Sequence, residues 1–284
     1  MELINSKVEL VEPNGYGIDD IYYDIARAGR ICYASDKTSD NEKFVQDCIK
    51  KGHGRPLEFG TVYLAKMADS DSSIDPRYGK WLKYAVNPYS RIHLHDGWLY
   101  VTTNYRVLVE NNWLEDLFYL SEPTPWHDRR YTFHWTISRA IADEFRTHTA
   151  ISSLMQSTRY CNYSKDRFGG KLTIVRPNWI TLDFGEYDFA YLAEHKSLGI
   201  GYANFEYLTE MLQAECRYIL FTQTMGIKAE DARSILPLDI KTEFIQCGYF
   251  DDWKHFFDLR AHNTTGKAHP DSIKIATEAE KLIQ

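Results

Sequence analysis

The chain has 284 residues, 44 % apolar and 26 % charged, with a formal net charge of −7. That balance belongs to a folded globule, and the acidic surplus argues against a nucleic acid polymer as partner, because phosphate-backbone binding rests on a basic face. No apolar run has the length of a membrane span, no signal peptide opens the sequence, and the five cysteines (Cys32, Cys48, Cys161, Cys216, Cys247) form no CxxC. A cytoplasmic protein off the membrane, without a disulfide framework or a metal cage, is expected. Aromatic residues make up 14 %, including 20 Tyr and 7 Trp. Such a supply suits ring-binding pockets and subunit interfaces, or simply a tyrosine-rich core.

"KVELVEP" alternates and predicts a short edge strand ended by Pro13 and Gly15. Ile18 to Ala28 predicts a helix with Ile21, Ile25 and Ala28 on one face. "SDNEKFVQDCIKKG" predicts another, capped by Ser39 or Asp40, striped by Phe44, Val45, Cys48 and Ile49, and ended by Gly52. "TVYLAKM" has strand composition. Residues 68–130 change character: "ADSDSSIDPRYGK" is polar and turn-rich, "GWLYVTTNYRVLVEN" mixes strand formers with a turn into a helix, and "WLEDLFYLSEPTPW" ends at prolines. This part is short for a self-sufficient second core. A single domain over 1–284 with 68–130 as an insertion is therefore expected.

"RRYTFHWTISR" predicts a strand, Ala140 to Arg146 a helix, and "KLTIVRP" a short strand stopped by Pro177. Phe205 to Met225 predicts the longest helix, closed by Gly226. "KAEDARSILP" reads as a short capped helix and "LDIKTEFIQCG" as a strand or extended segment. "DDWKHFFDLRA" reads as a helix begun by Asp251 or Asp252, and "DSIKIATEAEKLIQ" as a last helix. No internal repeat and no regular βαβ alternation occur, so an α+β fold is expected rather than a doubly wound sheet.

The chain holds no P-loop, GxGxxG, HExxH or GxSxG. Four arginine-bearing stretches stand out instead. In "STRYCNYS", Ser157 and Arg159 lie two apart, and a hydroxyl beside a guanidinium suits a phosphate. Equally, Arg159 can pair with a carboxylate while Ser157 caps a helix. In "DARSILPLD", Arg233 by itself reads as a surface ion pair. In "DWKHFFDLRAH", His255 and Arg260 lie five apart on a helix, on different but overlapping faces, and Arg260 alone is a cation suited to a helix C-terminus. In "KKGHGRPLEFG", His53, Arg55 and Glu58 cluster beside two glycines, a turn that can approach a planar ring.

In order and spacing these stretches resemble the flavin-dependent thymidylate synthases. "SLMQSTRYCNYSKDRFGG" is similar to the family's Ser-x-Arg-Tyr signature, "ARSILPL" and "DWKHFFDLR" to its C-terminal substrate segment, and "GHGRPLEF" to its early flavin-contacting loop. "YTFHWTISRAIADEF" resembles the strand and helix before the signature. The resemblance covers roughly residues 8–66 and 131–284. It implies a central mixed or antiparallel sheet with flanking helices, and a homotetramer with active sites at subunit junctions. It also implies FAD reduced by NADPH, and a methylene carbon passed from 5,10-methylenetetrahydrofolate to dUMP. By position, Ser157, Thr158 and Arg159 would hold the dUMP phosphate, with Arg233 assisting from another subunit. Glu144 would contact the nucleotide. Arg260 would face the uracil as the catalytic cation, and His53, Arg55, His148 and His255 would contact the flavin.

Some positions depart from the family pattern. Its Arg-His-Arg is Thr147-His148-Thr149 here, Met155 replaces a glutamate, and Tyr249 and Asp251 replace two flavin-contacting residues. Two other readings follow: a folate-dependent pyrimidine-nucleotide modifying enzyme with weak or no FAD binding, and a non-enzymatic nucleotide-binding relative.

Overall fold

The computed structural model describes residues 1–33, 40–68, 79–195 and 199–284. Ser39, one of the two expected helix caps, and most of the turn-rich "ADSDSSIDPRYGK" segment lie outside these residues.

The chain opens with β1 (Glu2–Ile4) and β2 (Lys7–Leu10), then α1 (Ile18–Tyr33), which runs a turn beyond its expected end. Asp40 caps α2 (Asn41–Lys50) by accepting from the Lys43 amide at 3.1 Å, and Gly52 ends it at φ +67°, where a side chain would be strained. A 3-10 turn, Arg55–Phe59, leads into β3 (Thr61–Met67). After α3 (Leu82–Val86) come β4 (Arg91–His95) and β5 (Trp98–Asn104). The Asn104 side chain then caps α4 (Tyr105–Glu110) on the Val107 amide at 3.2 Å.

The second half holds β6 (Arg130–Ser138), α5 (Arg139–Phe145), β7 (Ser152–Met155), β8 (Thr173–Val175) and β9 (Gly185–Glu186). Next come α6 (Phe189–His195) and α7 (Tyr202–Ile219). The expected Phe205–Met225 helix thus starts a turn early and widens at its end into a π turn, Leu220–Thr224. The expected capped helix in "KAEDARSILP" is a single turn, α8 (Ala229–Ala232), with Lys228 at the cap position and no side-chain cap, continued by a 3-10 turn at Arg233–Ile235. β10 (Lys241–Tyr249) runs directly into α9 (Phe250–Arg260), and α10 (Pro270–Glu280) follows. The cap position of α9 is Tyr249; Asp252 accepts from the Tyr249 amide at 3.2 Å three residues in.

The described strands form three sheets. The central one has the order β2-β6-β10-β7, antiparallel throughout; β3-β5-β4 is also antiparallel; β8-β1-β9 is mixed. The fold is α+β. On one face of the central sheet Phe133, Trp135, Ile137 and Phe244 pack against α5, α9 and α10 through Phe145, Trp253, Phe256 and Ile275. On the other face Ile245 and Cys247 meet Ala28 of α1 and Phe59.

The same α1, through Ile21 and Ile25, joins α2 in covering the β3-β5-β4 sheet, where Leu64, Leu99, Val101, Tyr84 and Tyr105 are buried. Residues 79–120 thus share their apolar cluster with the N-terminal helices, and β3, which precedes residue 68, supplies a strand of that sheet. Tyr249 ties the two sheets together: its hydroxyl donates to the carbonyls of Thr102, at 2.8 Å, and Tyr89, at 3.0 Å. Its ring lies near the guanidinium groups of Arg91 and Arg130, 5.0 and 5.6 Å from centroid.

Phe133 is fully buried, with ring centroids 4.7 Å from Trp253 and 5.5 Å from Trp135. Phe133→Ala is expected to destabilise the chain by about 3–5 kcal/mol, the usual cost of removing a buried aromatic ring. Urea unfolding measures it; a loss below about 1 kcal/mol would contradict this core.

Candidate active site

The candidate residues fall into two clusters and a cleft. The first cluster lies where the C-terminal ends of α5 and α9 meet, held by Phe145 against Phe256 with ring centroids 4.8 Å apart. Arg260, the last residue of α9, donates from Nε to His148 Nε2 at 2.9 Å and from Nη1 to Glu144 Oε2 at 3.2 Å. Its Nη2 donates to the Glu144 carbonyl at 3.2 Å and to Thr147 Oγ1 at 3.3 Å. The guanidinium therefore satisfies outward groups at the end of α5, where a cation is favoured by the helix dipole.

Burial, and then the Arg260 charge and His255, push the His148 imidazole down to about 4. At neutral pH the ring is uncharged. Since Nε2 accepts from Arg260, we assign the proton to Nδ1. The ring of Phe256 stands 4.8 Å away and that of the exposed His255 6.4 Å away. The five-residue spacing of His255 and Arg260 thus brings both beside His148.

The second cluster is the turn after β7. The Gln156 amide donates to the Glu243 carbonyl at 2.8 Å and the Ser157 amide to the Cys32 carbonyl at 3.0 Å. The chain then turns back, the Ser157 carbonyl accepting from the amides of Tyr160 and Cys161 at 3.1 and 3.0 Å. Ser157 Oγ accepts from the Arg159 amide at 3.3 Å. The Arg159 guanidinium is exposed, 3.4 Å from Glu230, and Arg233 Nη1 lies 3.5 Å from Thr158 Oγ1. Two hydroxyls and two guanidiniums therefore share one turn. Arg233 reaches Thr158 of its own chain. The pair with Glu230 is solvated and weak, about 0–1 kcal/mol; a phosphate can replace it with charge-assisted bonds.

The rest of the hydroxyl-rich run is structural. Asn162 Oδ1 accepts from the amide and hydroxyl of Ser164, at 3.1 and 2.6 Å. Thr222 donates to Ser164 Oγ at 2.9 Å and Gln223 to the Ser164 carbonyl at 2.7 Å, pinning the loop to the π turn after α7.

The cleft, about 430 Å³, lies between the turn at Arg55 and Glu58, α4 with Arg106 and Glu110, and the segment Thr149 to Ser152. His53 is exposed near its rim in sequence, with its amide on the Cys48 carbonyl at 2.8 Å, and its side chain does not line the cleft. Sequence reasoning missed Arg106 and Asn104, both cleft-lining, because "NYRVLVEN" reads only as a turn into a helix. It also missed Arg139, whose Nη1 donates to the Gln156 carbonyl at 3.2 Å beside Ser157. Among the described residues no group of three or more His, Cys, Asp or Glu is placed to hold a metal ion, and no helix is long and apolar enough to cross a membrane.

Fold and site together define an α+β protein with two clusters of polar side chains and a polar cleft. The family model for thymidylate synthase complementing protein matches residues 95–284, and the chain belongs to that family. The match begins inside the segment expected to be an insertion, at β4. Among solved structures, one similar to this chain is thymidylate synthase X from Helicobacter pylori with FAD and dUMP. It is 17 % identical, with 55 % of this chain and 67 % of that one covered and a TM-score of 0.39. Another is the UMP/dUMP methylase PolB from Streptomyces cacaoi bound with 5-Br UMP. It is 14 % identical, with 99 % and 90 % covered and a TM-score of 0.43. No curated protein sequence matches the chain.

His148 makes stability depend on pH. In the unfolded chain it takes up a proton near 6.5, while in the folded chain it stays neutral down to about 4. The unfolded state binds more protons between these values, so this contribution is complete above pH 6.5 and is lost as pH falls toward 4. His148→Gln should therefore lose less stability than the parent between pH 7 and pH 4.5 in urea unfolding. Equal losses in both would remove His148 as the titrating group.

Proposed function

We propose that the chain methylates dUMP to dTMP reductively, with 5,10-methylenetetrahydrofolate as carbon donor and FAD, reduced by NADPH, as hydride source, acting as a cytoplasmic homotetramer. Membership of the thymidylate synthase complementing family supports this reading. The observation that carries it is the pairing of a phosphate-suited turn (Ser157, Thr158, Arg159, Arg233) with a fixed guanidinium, Arg260, connected through β7 and the His148 loop.

The contacts support each role. Arg159 exchanges exposed Glu230 for the nucleotide phosphate, and Arg233, beside Thr158, adds a second charge. The Ser157 hydroxyl serves binding; among its described contacts no base lies next to it to make it a nucleophile. Arg260 is held by Glu144 and His148, so its charge is preorganised to stabilise negative charge developing on the pyrimidine oxygen. His148 must stay neutral to accept from Arg260, and its depressed proton affinity provides this. Catalysis in this reading rests on positioning and electrostatics, as the family resemblance implies.

The residues fit a flavin. The cleft offers the Arg55 guanidinium and the amides of Asn104 and Asn111 as donors, and it adjoins Thr149 next to the neutral His148 ring. When bound, the flavin supplies the hydride that completes the methyl group. His53 and His255, both exposed, are the further flavin contacts in this reading. Threonines beside His148 favour the second reading, in which flavin is weakly held and the folate-derived carbon ends as another pyrimidine-nucleotide product.

Incubation with dUMP, methylenetetrahydrofolate, FAD and NADPH should give dTMP by mass spectrometry. A different nucleotide product would favour the second reading, and dUMP binding without turnover the non-enzymatic one. Arg260→Ala should abolish turnover; full activity in that variant would sink its assignment. Arg159→Ala and Arg233→Ala should each weaken dUMP binding by about 10- to 100-fold, the worth of a charge-assisted hydrogen bond of about 1.5–3 kcal/mol. Calorimetry with dUMP gives the numbers, and an unchanged affinity in both would move the phosphate elsewhere.

A further inference from the structure

We propose that Arg106, carried by α4, is the residue that anchors the phosphate-bearing part of the flavin nucleotide in this chain. The inference rests on the flavin reading above and adds the binding residue that reading lacks.

Three features of Arg106 carry it. First, its edges are unequally engaged. Nη1 donates to Glu58 Oε1 at 2.5 Å, Nε to Glu110 Oε1 at 2.7 Å, and Nη2 makes no bond among the described residues. Second, its two carboxylate partners differ. The Glu58 side chain is 12 % exposed and lies also 3.5 Å from Arg55, so it works as a fixed brace. Glu110 is 54 % exposed, so its pair with Arg106 is solvated and readily exchanged. A phosphate that displaces Glu110 finds Nε and Nη2 side by side, the planar edge suited to two parallel hydrogen bonds, while Glu58 keeps the guanidinium in place.

Third, the backbone is shaped around this side chain. A Cβ on Gly54 would stand 2.7 Å from Arg106 Nε and 3.1 Å from both its Cζ and Glu110 Oε1. Gly54 has φ −69°, which any residue adopts, so its lack of a side chain serves the seat of Arg106 rather than a turn. Arg106 lines the same cleft as Thr149 and Ser152, across from Arg55. Thr149 brings no charge to that wall, and the cationic groups of the cleft are Arg55 and Arg106. Glu58 and Glu110 balance them, and release of Glu110 leaves one net positive charge for the phosphate.

The test is FAD titration of the full chain by flavin fluorescence, with dUMP calorimetry on the same samples. The parent should bind FAD, Arg106→Gln should bind it at least 10-fold more weakly, and dUMP affinity should be unchanged. Gly54→Ala should also weaken FAD binding, because its Cβ unseats the guanidinium while the backbone is unstrained. If Arg106→Gln binds FAD like the parent, this inference is overturned and the flavin reading stands. If Arg106→Gln loses dUMP and FAD together, the variant has lost its fold and Gly54→Ala decides: full FAD affinity there overturns the inference. A parent chain that binds no FAD overturns both.

Discussion

The paired length of β6 and β10 sets the position of the candidate catalytic cation. The ladder joins nine residues of each strand, from Lys241 opposite Ser138 to Tyr249 opposite Arg130. β6 runs at once into α5 and β10 at once into α9, so the two helices start from opposite ends of the ladder and run back over it. Nine antiparallel pairs span about 27 Å. Seven residues of α5 and eleven of α9 give about 27 Å of helix together. The helices therefore meet C-terminus to C-terminus over the sheet, with Phe145 against Phe256. Two helix ends of the same partial negative charge then face each other. Arg260 answers that repulsion, standing at the end of its own helix and bonding the last turn of the other through Glu144. The same side chain is thereby structural and, in our reading, catalytic. Burial first, and then this guanidinium, keep His148 neutral, because a second cation beside it is disfavoured.

A second constraint is the connection of the β3-β5-β4 sheet to this centre. Tyr249, at the hinge between β10 and α9, bonds the carbonyls of Thr102 and Tyr89. A position that differs from the family pattern therefore gains a reason: its side chain fastens the adjoining sheet. Met155, another departure, packs against the aromatic core of the central sheet. Once fastened, the adjoining sheet places α4 opposite Thr149 and closes a cleft that the N-terminal turn and the His148 loop cannot form alone.

What could be read from sequence follows the strength of local patterning. The strands at Lys241–Tyr249 and Arg130–Ser138, and helices α1, α2 and α9, carry long apolar periodicity or clear caps, and all appear near their expected bounds. β7 was hidden in a polar run because it is formed by pairing with β10, not by its own composition. β1 is short and acquires its state from partners distant in sequence, β8 and β9, while β4 is held by the adjoining β5 in a hairpin. The site was legible in part. His255 and Arg260 were expected on overlapping faces of one helix, and they do flank His148. The brace of Arg106 by Glu58, 48 residues away, has no local signature at all.

The hydroxyl-rich stretch shows how one composition divides into two physical tasks. Its first half, Ser157 to Arg159, is turned outward by three backbone bonds and keeps its side chains on weak, solvated partners. Its second half, Asn162 to Ser164, is buried or partly so and bonds inward to Thr222 and Gln223. The π turn at Leu220–Thr224 supports this division, since it brings both of those side chains onto the loop. Fixing the inner half limits the conformations open to the outer half. A phosphate arriving at Arg159 then meets a preformed turn, and less of its binding energy is spent on ordering the chain.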